Sequence, residues 1–99
     1  MQSFYAECFE RDMGCTQAEW LRWLPDAIGG HTWTLQAQAA DVCIGDGVLA
    51  LSWTVASPRV IALMRMPRLL VSFRFSGLDA VQRYAFMRRF DLYMQRGGG

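Results

Sequence analysis

The chain has no lysine, only one histidine and an odd number of cysteines, three, among its 99 residues. No run of about 18 apolar residues occurs, so the sequence predicts no transmembrane helix and no membrane partner. The segment after Met1 lacks a continuous apolar stretch, so we expect no signal peptide and a cytoplasmic protein. An odd cysteine count fits free thiols in a reducing compartment better than a disulfide framework.

The sequence has little that predicts catalysis or a metal site. Six residues separate Cys8 from Cys15, whereas zinc ligand pairs favour separations of roughly two to four. We find no paired carboxylates, nucleophile–base pattern or phosphate-binding glycine motif, and therefore expect a non-enzymatic protein without a cofactor. Cys15 is expected to be exposed in a loop, while Cys8 and Cys43 are expected to pack as small apolar residues.

The charge is distributed unevenly along the chain. The net charge is +1, but residues 1–50 hold two arginines and seven acidic residues, giving −5. Residues 51–99 hold eight arginines and two acidic residues, giving +6. The arginine bias has a functional interpretation, as a basic interaction surface, and a genomic one, because GC-rich bacterial genomes favour arginine over lysine.

The first third of the chain predicts one strand and one helix. Residues 2–9 fit both a strand and one helix face, and we favour the strand because residues 11–14 are typical of a turn. The pattern Thr16 to Glu19 is a capping box, so a helix should follow it. Pro25 should kink or restart this helix, and Gly29 and Gly30 should end it.

The middle of the chain predicts short strands and the end predicts a second helix. Apolar residues alternate over 33–38, 40–44, 49–55 and 69–75, with a hairpin turn at 45–47. Ser57-Pro58 is typical of a turn, and residues 60–66 are mostly apolar on both sides until Pro67, which predicts a bulge, an edge or a turn. The last helix should have Ser76 or Gly77 near its N-cap and extend to about Gln95, before a short flexible tail, 97–99.

These elements predict a single α+β domain over residues 1–99. The order is β-α-β-β-β-β-α, with one further strand as an alternative. Hairpin-length connections indicate an antiparallel sheet of about four to five strands. Two amphipathic helices should cover one face of that sheet, giving a two-layer sandwich.

The last helix carries the most informative side chains. Arg83 falls within its apolar stripe, and Asp79 lies four residues earlier, so we expect a structural pair between them. A second, weaker apolar stripe has two interpretations, a homodimer or partner contact and packing within the chain. This second stripe contains Leu78, Val81, Ala85 and Leu92.

The leading functional hypothesis is an interaction or adaptor module with an arginine-rich C-terminal half, which binds an unknown protein partner or self-associates. One alternative is an anion-binding or nucleic-acid-binding domain, less favoured because the open sheet face lacks an aromatic pair. Another alternative is a binder of a small apolar ligand in a tryptophan-lined pocket. The candidate anion-binding or partner-binding residues are Arg65, Arg74, Arg83, Arg88 and Arg89.

Two segments carry a resemblance to a known group of proteins. Met13–Pro25 (MGCTQAEWLRWLP) and Phe86–Gly99 (FMRRFDLYMQRGGG) resemble segments of small uncharacterised proteobacterial proteins. The resemblance implies a bacterial origin. It implies no activity and no site residues, because that group has no assigned activity.

Overall fold

Five strands and two helices follow the predicted order along the chain. The computed structural model describes residues 4–98, with side chains through Gln95. The elements are β1 (Cys8–Met13), α1 (Gln17–Ile28), β2 (Trp33–Leu35), β3 (Ala39–Ile44), β4 (Gly47–Ile61), β5 (Met64–Ser76) and α2 (Ala80–Gly98).

The strands form one antiparallel sheet in the order β1-β5-β4-β3-β2. The two helices contact each other and share one buried core with the sheet, so the predicted α+β class with an antiparallel sheet is confirmed. Because β1 lies beside β5, the acidic start of the chain is brought next to its basic second half. The predicted hairpin turn is also confirmed, with Gly45 at a φ of 56° between β3 and β4.

Helix α1 begins at the predicted capping box. The backbone N–H of Glu19 donates to Thr16 Oγ1 at 3.1 Å, and the Thr16 N–H donates to Glu19 Oε1 at 2.9 Å. Pro25 lies inside α1 without dividing it, and the helix ends before Gly29. Pro25 therefore removes one intrahelical donor but does not restart the helix.

The core lies between the helix layer and the inner face of the sheet. Helix α1 contributes Trp20, Leu24, Ala27 and Ile28, all fully buried. The inner face of the sheet alternates with its open face at the period of two that a strand imposes. From the sheet and α2 the buried set includes Val42, Leu49, Leu51, Trp53, Leu69, Val71, Phe73, Phe75, Phe86, Met87, Phe90 and Met94.

Strand β1 lies further along the chain than predicted. It covers Cys8–Met13, so the predicted turn at residues 11–13 is strand, and the predicted strand at 2–9 overlaps it only at its end; residues 2 and 3 lie outside the described residues. The charged residues made this segment look like a turn. Arg11 instead lies on the inner face, with its guanidinium carbon 5.4 Å from the Phe9 ring centre and 5.2 Å from that of Phe73.

Helix α2 also begins later than predicted. Asp79, rather than Ser76 or Gly77, caps it, because the carboxylate accepts from the Gln82 N–H at 2.8 Å while Gln82 Oε1 accepts from the Asp79 N–H at 3.0 Å. The predicted Asp79–Arg83 pair is wrong, since Asp79 is used by this cap and Arg83 donates to backbone carbonyls. The helix continues to Gly98, beyond its predicted end, and Gly99 lies outside the described residues.

Strands β4 and β5 are longer than predicted because Ser57-Pro58 is not a turn. The register shifts between Ala56 and Arg59, which leaves two residues of β4 opposite Pro67 of β5. This is a β-bulge, one of the structures predicted at Pro67. Both strands continue past it to a two-residue turn, where Ala62 has a φ of 54°.

Candidate functional site

The paired ends of β4 and β5 project from the sandwich as a two-stranded arm, residues 56–68. The last residue pairs with the neighbouring strands are Met13 with Leu69 and Ala39 with Ser52. Beyond those positions β4 and β5 pair only with each other. Six strand residues on the β4 side and five on the β5 side extend roughly 17–20 Å. The arm accounts for part of the 47 Å longest dimension of the molecule.

The arm concentrates the exposed apolar side chains of the protein. Twelve large apolar side chains are exposed in the described part of the chain; five of them lie in the arm and two more, Val55 and Leu70, flank its base. Leu63, in the turn, is 100% exposed. Exposed apolar side chains concentrated in one segment mark an interaction site more often than scattered ones do. The seven are Val55, Val60, Ile61, Leu63, Met64, Met66 and Leu70.

Asp12 of β1 holds the base of the arm. Arg68 donates Nε and Nη2 to this carboxylate at 3.2 and 2.8 Å, and Arg59 Nη2 approaches it at 3.4 Å. The hydrogen bonds from Arg68 and the two positive charges hold the pKa of Asp12 below its ordinary value. The residues from Gly47 to Leu78 include no acidic residue, so the arm itself is positively charged.

A cleft of about 1010 Å³ opens at the base of the arm. Met66 of the arm forms one wall, the loop at Gly14 and Cys15 another, and the C-terminal part of α2 a third. This volume lies at the upper end of the range for ligand sites, roughly 300–1,000 Å³. The apolar lining consists of Met13, Trp23, Met66, Leu92 and Met94, and the polar lining includes Tyr5, Arg11, Asp12, Arg88, Asp91 and Gln95.

The polar part of the cleft is organised around Asp91 of α2. Arg11 donates to both carboxylate oxygens, at 2.5 and 3.0 Å, and the Tyr5 hydroxyl donates to Asp91 Oδ2 at 2.6 Å. Burial, together with the hydrogen bond to Asp91, raises the pKa of Tyr5 to about 12. Burial alone would lower the pKa of Arg11, but the hydrogen bonds and charge of Asp91 outweigh it and raise that pKa. The Asp91 carboxylate therefore has partners within the chain.

Arg83 is the buried charged residue of α2, with 8% of its surface exposed. Its Nε donates to the Tyr5 carbonyl and its Nη1 to the Leu78 carbonyl, both at 2.9 Å. It thereby joins the N-terminal segment to the loop before α2. These contacts give Arg83 a structural role.

The five candidate arginines lie on two elements, β5 and α2, but have different surroundings. Arg65 is exposed on the arm, and Arg74 is exposed on the open sheet face between Cys8 and Ala50. Arg88 is exposed at the edge of the cleft, whereas Arg83 is buried. The fifth, Arg89, donates to the Asp26 carbonyl at 3.3 Å and lies 4.3 Å from the Tyr93 ring centre.

The second apolar stripe of α2 is divided by the fold. Leu78 is buried, and Val81, Ala85 and Leu92 are exposed. Leu92 lies in the cleft, next to Arg88 in its lining. The stripe therefore does not form one continuous buried contact within the chain.

The tryptophans and cysteines also depart from parts of the sequence interpretation. Trp20 and Trp53 are core residues in edge contact, with ring centres 5.5 Å apart, and Trp23 is the tryptophan in the cleft lining. The expectation for the cysteines is reversed: Cys15 is buried under the start of α1, while Cys8 and the remaining thiol, Cys43, are exposed on the open sheet face. Burial, together with the charge of Glu19, raises the pKa of Cys15.

The sequence contained a signal for the arm that its interpretation missed. Residues 60–66 are apolar at both odd and even positions, which indicates a strand covered on both faces or one that needs a partner. The choice between a covered strand and one that needs a partner depends on where β1 and β3 end. Those ends are set by pairing between residues that are distant in sequence. The Arg11–Asp91 contact, 80 residues apart in sequence, has no local signal at all.

Comparison of the chain with protein families, with curated proteins and with solved structures found no match. The resemblance to small proteobacterial proteins therefore stays a prediction. No helix between residues 4 and 98 is long and apolar enough to cross a membrane. In that same range no group of three or more histidine, cysteine or carboxylate side chains is placed to hold a metal ion.

Proposed function

We propose that this chain is a non-enzymatic interaction module that binds a protein partner through the arm. The observation that carries the proposal is the set of exposed apolar side chains at the arm, with Leu63 fully exposed at its tip. Transferring a leucine-sized side chain from water into an interface contributes about 1.5–3 kcal/mol. A partner that covers the arm would gain this contribution from several side chains at once.

The geometry of the arm supports the same proposal. Its two strands have no neighbouring strand beyond Leu69 and Ser52, so the outer backbone groups of residues 59–66 are available for strand pairing. The base is held in place by Asp12 and Arg68, which reduces the ordering that binding requires. A projecting apolar element on a fixed base is well suited to recognition.

The arginines contribute a secondary role in this proposal. Arg65 lies two residues from the turn and favours a partner with acidic groups around an apolar site. The anion-binding or nucleic-acid alternative is less well supported, because Arg83 is buried and Arg65, Arg74 and Arg88 lie on the arm, the open sheet face and the cleft edge. The small-ligand alternative would have to use the cleft, where Trp23 is the one tryptophan in the lining. The exposed thiols of Cys8 and Cys43 fit the predicted cytoplasmic location.

A site-specific cross-linking experiment tests the proposal. A photoreactive amino acid is introduced at Leu63 and, as a control, at Val81, which is exposed on α2 far from the turn in sequence. We expect ultraviolet irradiation in the native host or its lysate to give a discrete adduct from position 63 and not from position 81. Equal or absent adduct formation at the two positions would overturn the proposal, and mass spectrometry of the adduct identifies the partner.

A further inference from the structure

Resting on the proposed function, we infer that the partner of the arm is a second copy of this chain, and that two copies exchange arms so that each tip fills the cleft of the other. The inference begins from a property of the single chain: it carries both an apolar projection and an apolar cleft. Leu63 is fully exposed at the end of the projection, and the cleft is lined by Trp23, Leu92 and Met94 among others. Neither feature is filled or covered by the described part of the chain.

The positions of the two features match a two-fold symmetric contact. In such a contact one rotation relates the two copies, so a patch of the first copy that contacts a different patch of the second is contacted in the same way in return. When two arms lie antiparallel along their length, the tip of each reaches the base of the other. The base is where the cleft opens, since its lining includes Asp12 and Met13, which pair with Leu70 and Leu69 just before the arm begins. The same rotation therefore brings the tip of each copy to the cleft of the other.

The size of the cleft fits this occupant. At about 1010 Å³ it is too large for one side chain and comparable with sites that take a whole small molecule. A hairpin tip with Ile61, Leu63 and Met64 offers several adjacent apolar side chains, all exposed in the single chain. The apolar wall formed by Trp23 and Leu92 would then be removed from water together with the tip.

The unpaired backbone edges and one ion pair between the copies favour the same arrangement, against the repulsion between two positively charged arms. The outer edges of the arm are unpaired beyond Leu69 and Ser52, so two antiparallel arms can form backbone hydrogen bonds along their length. Arg65, two residues from the turn, makes no ion pair with the part of the chain that the structure describes. The Asp12 side chain at the base is 36% exposed, so its carboxylate can form an ion pair with Arg65 of the other copy.

The first experiment measures the oligomeric state by sedimentation equilibrium for the parent chain, Leu63→Ser and Val81→Ser. Both substitutions change an exposed apolar residue to serine, so folding should be retained in each. We expect the parent and Val81→Ser to be dimers. Leu63→Ser should raise the dimer dissociation constant by about 100-fold or more, because each dimer loses two buried leucines. A monomeric parent, or a larger effect of Val81→Ser, would overturn the exchange.

The second experiment tests the geometry by disulfide cross-linking. One chain carries Leu63→Cys and the other Gln95→Cys, at the cleft, with Cys8 and Cys43 changed to serine and Cys15, which also lines the cleft, changed to alanine in both. Because a disulfide needs Cα atoms within about 7 Å, we expect a covalent dimer from the mixture and none from the Leu63→Cys chain alone. A cross-link only between two tips would contradict the exchange.

The outcomes separate this inference from the proposed function. A monomer in solution whose Leu63 photo-adduct contains a different protein overturns the exchange and leaves the interaction module intact. A monomer without any adduct specific to Leu63 overturns both. A parent chain that is dimeric, whose dimer is weakened by Leu63→Ser and whose tip cross-links to the cleft of the other copy, supports the exchange and the interaction module.

Discussion

Replacing Asp91 with alanine removes the acceptor of three hydrogen bonds, one from the Tyr5 hydroxyl and two from Arg11. The Arg11 guanidinium then stays between the sheet and α2 without its counter-charge. Breaking a fully buried ion pair in this way destabilises a protein by about 3–5 kcal/mol, and an exposed pair contributes about 0–1 kcal/mol. The Arg11 and Asp91 side chains are 25% and 23% exposed, which places the expected loss between these limits, at about 2–3 kcal/mol.

The loss is large relative to the expected stability of a chain of this size, about 5–15 kcal/mol. Urea unfolding followed by the fluorescence of the buried Trp20 and Trp53 measures it directly. In thermal unfolding the same change should lower Tm by roughly 10–20 °C. The matched control is Asp12→Ala, which removes an exposed carboxylate with two arginine partners; its effect should be much smaller and should disappear in high salt.

A double variant tests whether the stranded charge is the cause. If the loss of the Asp91 charge beside Arg11 accounts for the lower stability, Arg11→Met combined with Asp91→Ala should be more stable than Asp91→Ala alone. An Asp91→Ala variant that unfolds at the same urea concentration as Asp12→Ala would refute the reasoning. A double variant less stable than Asp91→Ala would show that the packing of Arg11 on the aromatic rings, rather than its charge, dominates.

Three further predictions concern single residues. Because the pKa of Tyr5 is raised from 10.0 to about 12 in the folded state, its contribution to stability is complete below pH 10 and is lost as the pH rises towards 12. The resulting decrease in the free energy of unfolding at alkaline pH is at most about 3 kcal/mol. Tyr5→Phe should remove this decrease, and urea unfolding measured at a series of pH values tests it. In a thiol-reagent assay, Cys8 and Cys43 should react in the native protein and Cys15 only after unfolding, because it is buried with a raised pKa; rapid native reaction of all three would contradict this. Asp79→Ala should reduce the free energy of unfolding by about 1 kcal/mol through loss of the α2 cap, and an unchanged urea midpoint would show that the cap contributes nothing.

The elements that were predicted well are those defined by local signals. The capping box at Thr16, the helix end before Gly29 and the turn after Ile44 each depend on residues close in sequence. The alternation of apolar residues identified β3, the first part of β4 and the last part of β5. Together these signals were sufficient for the order of the elements and for the fold class.

The errors occur where a distant contact overrides the local pattern. Arg11 and Asp12 are turn-like in sequence, but β1 includes both because Arg11 packs on Phe73 and Asp12 pairs with Arg68. Arg83 has the spacing of a helical ion pair with Asp79 but donates instead to the distant Tyr5 carbonyl, while Asp79 forms a local cap with Gln82. The arm belongs to the same class of error, because its exposure depends on how far the neighbouring strands extend.

The sheet order also determines how the two oppositely charged halves of the chain meet. β1 comes first in the chain but pairs with β5, so Asp12 of the acidic half reaches Arg68 of the basic half. The Arg11–Asp91 pair has the reverse polarity, with its cation in the acidic half. Asp12, Arg11 and Asp91 all line the cleft at the base of the arm. The charge asymmetry is therefore used to hold that base, and Arg65 is left beside an apolar tip. Recognition by the arm should consequently depend more on burial of that tip than on salt-sensitive attraction.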